Sequence, residues 1–398
     1  MVVGRLSELS RPTLSNYRAV LWLVDSQGRS SWPVGLMAPI WVEVPAFEQG
    51  AIGAALQKFA TRDRLRLPDV LVSDGALNDM NCADGLGDVI ETLRGIRDVR
   101  ETRQLDGFYW QKHVLENLPD YVRMRLPDAW AGALQGVPAV VCGAGPSLDV
   151  TGRLLKTVSP RVVVFCADSA LSALAQQGVT ADFGVSVDVS KQPDKCLSAV
   201  PEPPRWMCLA GMSPPAWSRV PLSAGRFFCS GRQVTIDWLA GQGVAPTAVS
   251  VGENCGATAL SLARFLGCAP IYLLGMDQAL DERDQLRRHY QTVEKSLYDK
   301  SGFQAGAKYP RIPGNYAPSV PTYLEADWRA LNESLLTFPQ GVVFNVTDRG
   351  ARLSNTTLVS PSEWDLPDNG DCKIKRVSVL KLNTVSEAEV EHALVRVR

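Results

Sequence analysis

Short, almost uninterrupted runs of apolar residues alternate with helix-like segments between residues 137 and 275. Strands that are apolar on both faces are typical of a parallel sheet that is covered by helices on both sides. The pattern therefore predicts a Rossmann-like α/β fold with a mostly parallel sheet, which we place at residues 137–350. The runs are Ala139–Cys142, Val162–Ala167, Phe183–Val187, Trp206–Ala210 and Ile271–Leu274.

The segments outside this domain have a different pattern of apolar and polar residues. In residues 1–106 we expect a small α+β N-terminal domain, with β-like runs at Ala19–Val24 and Trp41–Val44 whose polar separation favours a hairpin. Helical spacing follows at Phe47–Phe59, and Asp69–Gly75 is typical of a strand that ends in a turn. Residues 107–136, with a helix over Phe108–Tyr121, are predicted to be a helical linker, and residues 351–398 a C-terminal extension.

Composition narrows the classes of partner. The formal net charge of -1 provides no overall positive field for nucleic acid, so small molecules or proteins are favoured as partners. The nine cysteines include no Cys-x-x-Cys pair, which favours reduced, buried thiols in a cytoplasmic protein. We expect no secretion signal, because the N-terminal residues contain no basic stretch followed by an apolar one, and no membrane span, because no run of eighteen apolar residues occurs.

The ends of the strands carry the first candidate site. In open α/β sheets, ligands bind beyond the carboxyl ends of the strands, where Gly143, Asp168, Asp188 and Asp277 fall. Gly143 and Gly145 would let the backbone approach a ligand, and amide groups near Ser147 favour phosphate. Pro146 removes one donor and Leu148 replaces a third glycine, so the turn is a poor dinucleotide fingerprint. A plain strand-to-helix turn capped by Ser147 is the alternative.

Other strand-end groups have two interpretations each. Asp168 could bond a ribose hydroxyl or cap the helix that begins at Ser169. Asp188 and Asp277 could order a cation, bind a metal or hold sugar hydroxyls, or be solvated loop residues. A second helix start with small and polar residues, which again suits an anion, contains Asn254, Gly256 and Thr258.

A general base has few candidates, because the chain has three histidines, His113, His289 and His392. His289 is the best placed, although a solvated loop histidine fits its spacing equally well. It lies in the polar, proline-rich stretch Arg283–Pro321, which we interpret as a substrate loop or lid. No zinc-binding spacing, nucleophile elbow or Walker loop occurs, so no metal site is predicted.

Three motifs occur together in the chain, namely Gly143-Ala144-Gly145-Pro146-Ser147-Leu148-Asp149, Ala167-Asp168-Ser169-Ala170-Leu171 and Ile271-Tyr272-Leu273-Leu274-Gly275-Met276-Asp277. Together they resemble the motility-associated-factor family of flagellin glycosyltransferases. The central domain of that family is similar to bacterial sialyltransferases. The resemblance implies a CMP-activated nonulosonic acid donor, a protein or glycan acceptor such as flagellin, and no required cofactor. It also implies catalytic roles for His289 and Asp188, with the strand-end and helix-start residues binding the donor.

Two alternatives stay open. The same broad family includes 6-hydroxymethylpterin diphosphokinase MptE-like proteins, for which the resemblance implies ATP and Mg²⁺. A likeness of fold does not separate the two chemistries. A non-catalytic module that binds a nucleotide or sugar is the third interpretation.

Overall fold

The chain forms two compact units, Met1–Gly107 and Phe108–Arg398. The computed structural model describes residues 2–3, 21–24, 40–43, 71–72, 93, 106–231, 233–252, 254–284, 286–287, 289, 309–366, 377, 380–382, 390–391 and 394–395. Within these residues, no helix has both the length and the apolar character needed to cross a bilayer.

The first unit contains a parallel sheet with strand order β3-β2-β1-β4. Its strands are β1 (Val2–Val3), β2 (Leu21–Val24), β3 (Ile40–Glu43) and β4 (Leu71–Val72). β4 confirms the predicted strand, but the predicted hairpin is wrong, because β2 and β3 pair in parallel. Parallel neighbours need a crossover rather than a tight turn, which the apolar runs alone do not reveal. The helix predicted at Phe47–Phe59 lies outside the described residues.

The second unit is built on an eight-stranded sheet with order β14-β13-β10-β5-β6-β7-β8-β9, and every neighbouring pair is parallel. The predicted Rossmann-like α/β fold is thereby confirmed. The strands are β5 (Ala139–Cys142), β6 (Val163–Ala167), β7 (Phe183–Ser186), β8 (Trp206–Ala210), β9 (Gly225–Cys229), β10 (Ile271–Leu274), β13 (Val343–Val346) and β14 (Thr357–Val359). β11 (Arg311–Pro313) and β12 (Ser319–Pro321) form a separate antiparallel pair.

Helices cover both faces of this sheet. They are α1 (residues 106–123), α2 (Leu148–Val158), α3 (Leu171–Gln176), α4 (Pro193–Cys196), α5 (Gln233–Gly241), α6 (Cys255–Phe265) and α7 (Glu325–Leu335). α1 confirms the helix predicted over Phe108–Tyr121. The domain boundaries given above remain predictions.

The core has two layers because alternate residues of each strand point to opposite faces. On β6, Val163 and Phe165 join one apolar cluster, whereas Val164 and Cys166 join the other. Phe165 stacks on Phe183 of β7 at 4.8 Å between ring centroids. Each fully buried side chain of this size contributes about 1.5–3 kcal/mol.

The strand order fixes where a ligand crevice can form. The chain runs outward from β5 to β9 and then returns to place β10 on the other side of β5. Connections after β5 and β10 therefore leave the sheet in opposite directions, which makes a topological switch point between them. The turns after these two strands meet there.

Candidate functional site

The turn after β5 packs directly against the turn after β10. The amide of Gly143 donates to the Leu274 carbonyl and that of Gly145 to the Gly275 carbonyl, both at 2.8 Å. A Cβ atom on Gly145 would lie 2.4 Å from Oδ2 of Asp277. The two glycines thus permit a close approach between two turns of the chain, where the sequence had suggested an approach to a ligand.

Asp277 completes this contact at the start of α2. Its Oδ2 accepts a hydrogen bond from the Ser147 amide at 2.7 Å, and Thr347 donates to its Oδ1 at 3.3 Å. Burial raises the pKa of the Asp277 carboxyl, while the Ser147 amide and the charge of Arg349 act in the opposite direction. A buried carboxylate therefore occupies a helix start that would otherwise suit an anionic ligand.

The alternative interpretation of this turn, a helix cap by the Ser147 side chain, is wrong, because the Asp277 carboxylate bonds the start of the helix instead. Ser147 has helical backbone angles, and its side chain makes no capping bond. Its carbonyl accepts from the Thr151 hydroxyl at 3.1 Å. Pro146 lies beside it in the same turn and supplies no amide donor.

His289 lies above the same turn. Its Nδ1 is 3.3 Å from the Ala144 carbonyl oxygen, although 145 residues separate the two in sequence. The imidazole is partly buried, so it is not the fully solvated loop histidine of the alternative interpretation. The structure thus brings His289, Gly143, Gly145, Pro146, Ser147 and Asp277 together.

Asp168 anchors a second group at the ends of β6 and β7. Its Oδ1 accepts from the Ser169 amide at 2.6 Å, and its Oδ2 accepts from the Ser186 hydroxyl at 2.7 Å. The thiol of Cys255, at the start of α6, is 3.5 Å from the same Oδ2. Burial raises the pKa of Asp168, and the nearby cation of Lys191 opposes that rise. With both oxygens engaged, this carboxylate ties β6, β7 and α6 together.

Asp188 lies at the rim of this second group and is more exposed than Asp168. Its Oδ1 accepts from both the amide and the hydroxyl of Ser190 at 2.8 Å. Lys191 follows at once and acts electrostatically on Asp168, a role that the sequence interpretation missed. A basic residue three positions after the strand-end carboxylate Asp188 was the available signal.

The start of α6 is shaped by Asn254. Its side-chain oxygen accepts from the Ala257 amide at 2.9 Å, and its Nδ2 donates to Asp327 of α7 at 3.2 Å. The Thr258 hydroxyl donates to the Asn254 carbonyl and accepts from the Gly252 amide. Asn254 therefore caps the helix and links it to α7.

Met276 connects the two groups. A Cβ atom on Gly143 would lie 2.8 Å from its Sδ, and one on Gly256 would lie 2.6 Å from the same sulfur. The turn after β5 and the start of α6 thus both approach the Met276 side chain. Asp168, Ser169, Asp188, Asn254, Gly256 and Thr258 all belong to the α6 side.

Arg349 was also missed by the sequence interpretation, where it appears as one of many loop arginines after an apolar strand. Its guanidinium forms two 2.8 Å hydrogen bonds to Asp348 and also contacts the buried Asp281. Arg283 reaches the same two carboxylates. These ion pairs hold the segment after β10 against the loop after β13.

The carboxylates at this edge of the sheet are the candidate ligands for a metal ion. Among the described residues, no group of three or more His, Cys, Asp or Glu is placed to hold a metal ion. Asp277 bonds the Ser147 amide, while Asp281 and Asp348 pair with Arg349. These three carboxylates are thus engaged by groups of the protein itself.

The fold and the site define a class: a Rossmann-like α/β domain with two helix starts and a histidine at its switch point. Residues 112–283 match the family model described as 6-hydroxymethylpterin diphosphokinase MptE-like. The chain also resembles the solved structure of the MAf glycosyltransferase from Magnetospirillum magneticum AMB-1, with a TM-score of 0.51 and 16% sequence identity. Both comparisons support the resemblance to the motility-associated-factor family, at low sequence identity.

The structural likeness covers 90% of this chain and 51% of the other, so this chain spans about half of that protein's length. None of the curated proteins matches the chain in sequence. The likeness shows a shared fold.

Proposed function

We propose that the chain is a glycosyltransferase that moves a nonulosonic acid, such as a sialic or pseudaminic acid, from a CMP-activated donor to a protein or glycan hydroxyl. Flagellin is one candidate acceptor. The observation that carries the proposal is the approach of both the turn after β5 and the start of α6 to Met276, with His289 beside that same turn. The name of the structurally similar protein, a glycosyltransferase, agrees with this assignment.

The α6 start is the better phosphate site of the two. Asp277 already bonds the first amide of the α2 turn, and a second anion there would meet its charge. At α6, the cap is a neutral asparagine, and the nearby carboxylates of Asp168 and Asp327 contact side chains of Cys255 and Asn254, so the positive end of the helix dipole remains available to a phosphate. Asp188, at the rim, would accept a hydrogen bond from a donor hydroxyl, and the cation of Lys191 would offset negative charge nearby.

The reaction would then need one proton acceptor. The acceptor hydroxyl oxygen attacks the anomeric carbon of the donor while the bond from that carbon to the phosphate oxygen breaks. His289 takes the hydroxyl proton, and CMP leaves with the bonding electron pair. The helix dipole of α6 stabilises the charge that develops on the departing phosphate.

The match to the MptE-like family model favours a second candidate, transfer of diphosphate from ATP to a hydroxymethylpterin. That match ends at Arg283, before His289, so this reaction would rest on the part of the chain from α1 to the end of the β10 loop. Mg²⁺ would be expected to accompany ATP. A non-catalytic module would bind a nucleotide and turn over none.

Thermal unfolding with CMP, CDP, UDP, GDP and ATP, each with and without Mg²⁺, separates these candidates. A ligand that binds only the folded state raises the melting temperature by mass action. We expect CMP to raise it without metal. A response to ATP with Mg²⁺ alone would overturn the glycosyltransferase assignment in favour of the diphosphokinase.

Substitution of His289 then separates enzyme from binding module. We expect His289→Gln to keep the CMP-induced stabilisation and to lose transfer from a CMP-activated donor. Full transfer by this variant would rule out His289 as the base. Binding without transfer by the unmodified protein, with every donor and acceptor tested, would favour the binding module.

A further inference from the structure

Arg287 lies at the centre of the segment that carries His289. Its side chain is 10% exposed and forms ion pairs with Asp149 at 2.5 Å and with Asp284 at 2.8 Å. Its Nη1 also donates to the backbone carbonyl of His289 at 3.2 Å. One guanidinium thus contacts a helix, its own loop and the backbone of the histidine.

The segment itself is folded back by backbone hydrogen bonds. The amide of Asp281 donates to the Arg287 carbonyl, and the amide of Arg287 donates to the Asp284 carbonyl, both at 2.9 Å. These bonds shape the loop without attaching it to α2. Asp149 provides that attachment, because it lies in the first turn of α2, two residues after Ser147.

We propose that Arg287 is the positioning residue for His289: its bond to Asp149 holds the loop against α2 and sets the imidazole above the Gly143–Ser147 turn. The inference rests on the proposed function, in which His289 is the base. Arginine suits this role because its planar fork of donors can bond several acceptors in fixed directions. Because the carboxylates of Asp149 and Asp284 balance its charge, Arg287 would affect His289 by fixing the position of the loop.

The spectroscopic test uses the small number of histidines. With three in the chain, ¹³C-labelled imidazoles give three NMR signals, and His289→Gln identifies the one from His289. In Arg287→Gln we expect the His289 signal to move towards the position of free histidine. The other two signals stay in place.

Two further variants make the result specific. Arg283→Gln is the matched control, since Arg283 lies in the same loop, is 56% exposed and bonds neither Asp149 nor His289. It should leave the His289 signal unmoved, because Asp281 and Asp348 both stay paired with Arg349. Asp149→Asn keeps Arg287 paired with Asp284 and should move the signal in the same direction by less, which preserves the test if Arg287→Gln folds poorly.

An unmoved His289 signal in folded Arg287→Gln or Asp149→Asn protein would overturn the proposal. With a turnover assay, Arg287→Gln should lower kcat about 10- to 100-fold with little change in KM for the donor, because misplacement of a reacting group is costly. Arg287→Lys should recover part of this loss. If His289→Gln retains activity, the base assignment fails, but the NMR result still decides whether Arg287 positions the loop.

Discussion

The carboxylate of Asp277 accepts a 2.7 Å hydrogen bond from the backbone amide of Ser147. A residue at the end of β10 therefore satisfies the helix start that follows β5, at the switch point of the sheet. The Gly143–Ser147 turn, which has the spacing of a phosphate-binding turn, is thus bonded by the chain's own Asp277 carboxylate. This shifts the expected phosphate site to the start of α6.

The first prediction concerns the ionisation of Asp277. Because burial raises its pKa above the ordinary 3.8, the folded protein binds this proton more tightly than the unfolded chain does. The resulting contribution to stability is fully present below pH 3.8 and is lost as the pH rises through the raised pKa. Asp277→Asn removes this dependence, so the stability of the native protein relative to the variant should fall with rising pH.

Urea unfolding of both proteins across this pH range measures the difference. Asp120→Asn, which changes an exposed ion pair with Arg123, serves as the control. Asp277→Ala should be less stable than Asp277→Asn by about 1–3 kcal/mol, because it leaves the buried Ser147 amide without an acceptor. A pH-independent difference between native protein and Asp277→Asn would contradict the raised pKa.

Gly145 makes the second prediction. Gly145→Ala would place a Cβ 2.4 Å from Asp277 and 2.7 Å from the Gly275 carbonyl oxygen. We expect a loss of about 2–3 kcal/mol or more in the free energy of unfolding, since the two turns must separate. Gly241→Ala, whose Cβ would meet nothing within 4 Å, should be neutral or slightly stabilising. Equal stability of the two variants would show that the close packing of these turns is dispensable.

Asn254 makes the third prediction. Asn254→Ser keeps a capping oxygen, whereas Asn254→Asp keeps the cap but adds a negative charge beside Asp327. We expect Asn254→Asp to weaken CMP binding about tenfold relative to Asn254→Ser, because the added charge repels the phosphate. Calorimetry with CMP and with cytidine measures both affinities. An equal loss for cytidine would place the phosphate elsewhere.

The cysteines make the fourth prediction. Seven of the nine are free and buried in the structure, namely Cys142, Cys166, Cys196, Cys208, Cys229, Cys255 and Cys268. Burial raises the pKa of thiols such as Cys166 and Cys255, which suppresses the reactive thiolate. Native protein should react rapidly with at most two equivalents of a thiol reagent, and denatured protein with nine. Rapid reaction of more than two in folded protein would show that this core opens.

Much of the second unit was predictable, because its strands are buried on both faces and so leave an apolar signal in sequence. Five of its strands lie close to the predicted positions. β9, β13 and the edge strand β14 were missed: β9 begins Gly225-Arg226 with partly buried residues, β13 includes the polar Asn345, and β14 is mostly exposed. In the first unit, apolar runs located strands but carried no information on strand direction.

The sequence by itself determined the class of fold and the candidate groups, since apolar periodicity and strand-end chemistry are local properties of the chain. Only the tertiary structure decided which groups meet. Ser147 and Asp277 are 130 residues apart, and Ala144 and His289 are 145 apart. Their contacts depend on β10 and β5 being neighbours, and that order is set by crossover connections and the burial of whole helices. No local sequence pattern encodes this strand pairing. The bond between Asp277 and the start of α2 and the contacts of Arg287 therefore could not be predicted from the sequence.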